Sequence, residues 1–177
     1  MHSLQTRIVA VTLSLLLGLA SCYDNDPNYP PEPEISFLNV GEVSFDGVDN
    51  DVTLYLTLQD GDGDVGTPEG DSPSCRADGN FCDYTTDSAC INDPFYDVVL
   101  IDQRDSCYVL LNLPNLTPSG DIKAISGEVD LFVNGLTCKP LFGQAQDTVV
   151  FDVYIKDRSG NLSNVVTTAP IVLGCPQ

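Results

Sequence analysis

The stretch that decides the fold is "DVTLYLTLQDGDGDVG", residues 51–66. Val52, Leu54, Leu56 and Leu58 alternate with Thr53, Tyr55, Thr57 and Gln59, so one face is wholly apolar and the other polar. That period of two belongs to a strand with one side on a core. It runs without a break into three aspartates, Asp60, Asp62 and Asp64, spaced by Gly61 and Gly63. Three carboxylates within five residues, in a chain already rich in acid, call for a physical reason: a solvated turn, or a cation.

The same alternation recurs on both sides. In "DTVVFDVYIKD" Val149, Phe151, Val153 and Ile155 share a face, and in "GEVDLFVNG" Val129, Leu131 and Val133 do. With the other candidates the expected strands are A (35–45), B (50–59), C (96–101), C′ or D (107–113), E (127–133), F (147–156) and G (163–173). About seven short strands divided by Gly, Asn, Asp and Pro, with no helical period, predict an all-β, immunoglobulin-like antiparallel sandwich. The connection from B to C is abnormally long. Its residues 67–95 hold Cys75, Cys82 and Cys90 and few apolar side chains, so they read as a disulfide-rich insert.

The start of the chain carries a different signal. Residues 8–20 are almost wholly apolar, too short to span a bilayer comfortably, and end in Leu19-Ala20-Ser21-Cys22. This resembles the lipobox of bacterial lipoproteins. The resemblance implies cleavage after residue 21, lipid on Cys22, and anchorage in a membrane of the bacterial cell envelope. An ordinary signal peptide or a transmembrane anchor is the alternative. Residues 22–34 are rich in proline and acid, a semi-rigid tether. The tether is similar to the acidic stretch that follows the lipidated cysteine in surface-exported lipoproteins of Bacteroidetes-type bacteria, which implies an outer-membrane, surface-exposed protein. The remaining residues, 35–177, form the sandwich.

Composition narrows the chemistry. The chain has 177 residues, 26 of them acidic and seven basic, for a net charge of −19. A surface so negative repels nucleic acid and favours cations. The one histidine, His2, lies in the leader, so Ser-His-Asp and Cys-His catalysis and His-ligated metals are excluded from the mature chain. Cys75, Cys82, Cys90, Cys107, Cys138 and Cys175 remain once Cys22 is set aside. An even number in an exported chain predicts three disulfides, a zinc or iron–sulfur site being the alternative. Three cysteines in the insert require at least one to pair outside it. We expect Cys138 with Cys175, and an insert cysteine with Cys107.

The acidic loop fails as an EF-hand. Asp60, Asp62 and Asp64 fit positions 1, 3 and 5, but Val65 stands at position 6 where glycine is required, Asp71 replaces glutamate at position 12, and no helix flanks it. Alternating Asp-Gly still suits calcium, because glycine lets carboxylates curl around a hard cation. In an immunoglobulin-like sandwich the B–C and F–G loops emerge together, and the F–G loop is "KDRSGN". The expected calcium ligands are therefore Asp60, Asp62, Asp64, Asp157 and Asn161. A metal-free acidic turn is the alternative.

The two segments "DGDGDVG" and "YIKDRSGNLSNVVTTAPIVL" together resemble uncharacterised immunoglobulin-like lipoproteins of Bacteroidetes-type bacteria, over residues 51–66 and 150–173. The resemblance implies fold and anchorage and carries no activity. The expected role is a non-catalytic interaction module that presents loops to an unidentified protein or glycan. Tyr84, Phe95, Tyr96 and Tyr108 are candidates to line such a surface, with core or cross-strand packing the alternative. Asp87-Ser88-Ala89 resembles a short O-glycan acceptor motif of the same bacteria. A structural envelope protein without a ligand and a carboxylate-based glycan hydrolase are the alternative readings.

Overall fold

In the computed structural model, which describes residues 28–74, 90–117 and 124–177, the fold is built outward from one strand. That strand is β2 (Asn50–Asp60), with β1 (Glu34–Phe45) on one side and β5 (Ile125–Leu136) on the other, all antiparallel. Val52, Leu54, Leu56 and Leu58 are at most 2% exposed. The expected leader, the expected lipidation site Cys22, and Cys75, Cys82, Tyr84 and Asp87–Ala89 lie outside the described residues.

The second sheet runs in the order β4 (Cys107–Leu111), β3 (Val98–Asp102), β7 (Phe151–Ile155), β8 (Val166–Thr167). Its inward residues Val98, Leu100, Phe151, Val153 and Ile155 are fully buried in the same apolar cluster as the β2 face. A two-stranded piece, β6 (Gln146–Val149) with β9 (Ile171–Gly174), extends this arrangement. The fold is thus all-β and antiparallel, with sheets that share one core. The buried Asn50 ties its parts together: its side chain donates to the Leu136 and Gly174 carbonyls and accepts from the Gly174 N–H at 2.8 Å.

Nine strands are described rather than seven, because the last two expected strands each divide. β6 and β7 keep one inward alternation through Val149 and Phe151, but hydrogen bonding passes from β9 to β3 at Val150, whose carbonyl accepts from Gln103 N–H. The partner strand breaks opposite this point, at Ala169-Pro170. Proline has no N–H to offer a ladder. Thr168 fills the gap, donating its N–H to the Phe151 carbonyl and accepting the Phe151 N–H on its hydroxyl.

The flanks of the long insert pack against the body. Thr67 N–H donates to the Leu113 carbonyl, and its hydroxyl to the Phe95 carbonyl. At the other flank Cys90 and Tyr96 bury against Val99 and Leu110, with Phe95 edge-on to Tyr96 at 5.2 Å. Phe95, Tyr96 and Tyr108 are therefore largely a second apolar cluster on the outer face of the β3–β4 sheet. Cys138 and Cys175 are joined by a disulfide, and Cys90 and Cys107 each take part in a disulfide as well.

One buried carboxylate holds two loops at this end. Asp97, 5% exposed, accepts the Leu113 N–H at 2.8 Å and lies 3.5 Å from the Thr67 hydroxyl. Burial pushes its pKa up to about 7. The folded state therefore holds a proton that the unfolded state has released above about pH 4, so Asp97's contribution to stability is full below pH 4 and lost as pH rises through 7. Asp97→Asn keeps the acceptor and removes the titration. From pH 5 to 8 the variant should lose about 2–3 kcal/mol less stability than the parent in urea unfolding; equal losses would refute this assignment.

Candidate metal centre

The alternation that builds the core also builds the site. Residues 50 to 60 of β2 point inward at every even position, so the position after Leu58 on the core face is Asp60, which is fully buried. In β7 the inward series Phe151, Val153, Ile155 continues to Asp157, 7% exposed. Two strands from opposite sheets thus each place a carboxylate one step beyond the last apolar residue of the core. The loop that follows β2 brings two more. Gly63, with φ of 67°, turns the chain back so that Asp62 and Asp64 face Asp60.

One carboxylate oxygen from each of Asp60, Asp62, Asp64 and Asp157 lies within 4.8 Å of the others. Four acidic residues so placed can hold a metal ion. The Oδ1 atoms of Asp60, Asp62 and Asp64 are all buried without a hydrogen-bond partner. No ion pair reaches any of the four among the described residues. Burial and the neighbouring carboxylates push the Asp60 pKa up to about 6, and burial followed by Asp64 raises that of Asp62. Both shifts have the same cause: negative charge confined without a counter-ion.

The other oxygens are used to fix the loops. Asp60 Oδ2 accepts the Asp64 N–H at 2.9 Å. Ser159 donates its hydroxyl to Asp64 Oδ2 at 2.7 Å, and the Arg158 N–H donates to the Asp64 carbonyl, which sews the β2–β3 loop to the β7–β8 loop. Thr117 donates to the Gly63 carbonyl from a third loop. Arg158 turns its guanidinium away from the carboxylates, to the Gly66 carbonyl and Asn115.

Asn161 is tied to one of the four carboxylates. Its backbone N–H and its side-chain amide both donate to the Asp157 carboxylate at 2.7 Å, and its carbonyl accepts the Asp157 N–H. It braces the Asp157 carboxylate. The sequence offers no sign of Thr117 or Ser159 at this site, since neither carries a charge or a motif. Asp71 is exposed and stands outside the cluster, while Val65 is fully buried in the core, so the loop does not fold as an EF-hand.

A groove of about 770 Å³ with mixed polar and apolar lining runs along Thr67–Asp71, with Phe95, Asn112 and Asn115 in its wall. Its acids, Glu69 and Asp71, are exposed. No family model, no curated protein and no solved structure matches the chain.

The geometry dictates opposite responses with and without metal. Asp62→Asn removes one negative charge from the cluster. In the presence of chelator at pH 7.5 it should raise the melting temperature by roughly 2–4 °C, the equivalent of about 1 kcal/mol of relieved repulsion. With a bound divalent cation the same substitution should lower it relative to the parent. A variant less stable than the parent under both conditions would mean that Asp62 serves the fold and not an ion.

Proposed function

We propose that this chain is a lipid-anchored interaction module of the bacterial outer membrane, surface-exposed and without catalytic activity, whose loop end is locked by one calcium ion. The observation that carries the metal reading is the set of three buried, unpartnered Oδ1 atoms facing one another beside Asp157. Carboxylates are hard oxygen donors, and calcium takes six to eight such oxygens in irregular geometry, water completing the set. Magnesium demands a tight octahedron that four carboxylates on two loops match poorly.

The fold reading proposed is an immunoglobulin-like sandwich. Its support is the strand order β1-β2-β5 against β4-β3-β7-β8, in which strands A, B and E face C′, C, F and G. For the interaction role the support is the groove along Thr67–Asp71, formed by loops on a rigid scaffold. Its exposed acids, with Asn112, Asn115 and the edge of Phe95, suit hydrogen bonding to a polar protein or glycan surface better than proton transfer. The lipid anchor rests on Leu19-Ala20-Ser21-Cys22 alone, and no described helix is long and apolar enough to cross a membrane.

Two measurements test this reading. Cys22→Ser should move the protein from the membrane fraction to the soluble fraction, and retention after a high-salt wash would end the lipoprotein proposal. For the metal, extracellular sites bind calcium at roughly 10⁻⁴ to 10⁻³ M. At ten times the dissociation constant the stabilisation is about 1.4 kcal/mol, a rise of roughly 3–6 °C in melting temperature. Magnesium should give much less. Identical melting curves with calcium, magnesium and chelator would leave an acidic turn and nothing more.

A further inference from the structure

The tether does not leave the body freely. Gly61, between the ligands Asp60 and Asp62, donates its N–H to the Pro30 carbonyl at 2.8 Å. The approach is so close that a Cβ on Gly61 would lie 2.3 Å from the Tyr29 carbonyl oxygen and 2.4 Å from that of Pro30. Just beyond, Ile35 is held at both its N–H and its carbonyl by the Asn164 side chain, from the connection between β7 and β8. The residues that join anchor to body are thus bound by the two loops that carry the carboxylates.

We infer that the metal ion governs this joint: with calcium bound, the loop 60–64 is fixed and clamps Tyr29 and Pro30 to the body, and without it the clamp opens. The inference rests on the metal reading above. The cause is Coulombic. Four carboxylates within 4.8 Å repel one another unless a cation lies between them, and the loop relieves the repulsion by moving apart. Gly61 is carried between two of the charges, so its single hydrogen bond to Pro30 cannot survive that movement. Linkage makes the effect mutual: docking of the tether must strengthen metal binding by the same factor.

The geometry also sets a direction. Tyr29 stands seven positions after Cys22, a reach of at most roughly 25 Å. If Cys22 carries lipid, the metal centre lies on the membrane side of the body, and calcium decides whether that body stands at a fixed angle or swings.

The test uses the mature chain with Cys22→Ser, with calcium binding measured by calorimetry and the joint observed by ¹⁵N NMR on the same sample. With calcium in excess, the Tyr29 and Glu32 amides should show the heteronuclear NOE of the β-strands, and the Gly61 amide should exchange with water at least tenfold more slowly than with chelator. If calcium binds and these signals do not change, the inference is overturned and the metal site stands. If no calcium binds, both fall. Gly61→Ala keeps all four carboxylates and excludes the dock. It should leave Tyr29 mobile under both conditions and weaken calcium about three- to tenfold; unchanged order at Tyr29 with unchanged affinity also overturns the inference.

Discussion

The structure turns on confined negative charge at the ends of its core strands. Asp60, Asp102 and Asp157 each follow an inward apolar series and are each buried. At one end of the molecule the charge is answered within the chain. Arg104 makes a bidentate contact with Asp102 and reaches Asp147, while Lys139 bridges Asp102 and Asp105. Burial alone would raise the Asp102 pKa, yet these cations hold it below the ordinary carboxylate range. At the other end four carboxylates meet with no cation among the described residues to pair them, and Asp60 is driven in the opposite direction. The same local pattern thus produces a closed ionic clasp at one pole and an open acceptor for an ion at the other.

Much of this was legible in the order of residues. A strand that buries Leu54, Leu56 and Leu58 must bury Asp60 too, because the period of two does not stop where the apolar residues do. The same holds for Asp157 after Ile155. What brings the two together is the pairing of strands across sheets, which the sequence suggests only through an assumed strand order. For Asn161 the sequence leaves two uses open. An amide beside an aspartate at a tight turn can coordinate an ion or hold the turn through hydrogen bonds, and the second is the one on view here.

The remaining discrepancies share another cause. Periodicity reports which face of a strand is buried and is silent on which neighbour it pairs with. Residues 147–156 alternate without interruption, so they read as one strand although their ladder changes partner at Val150. Pro170 was the visible clue, since it forces the break in the opposing strand. The docking of Tyr29 and Pro30 left no trace at all, because it is a backbone contact permitted by one glycine.

The direction of β1 has a mechanical consequence. The strand begins at Glu34, beside the tether, and runs the full length of the sheet to Phe45, paired with β2 at nine positions. Were the chain held on the side of Glu34 and loaded at the far pole, the pull would act along β1 and not across it. The β1–β2 hydrogen bonds would then be loaded together, in shear, instead of opening one after another as in a zipper. Such a strand yields only when many bonds fail at once.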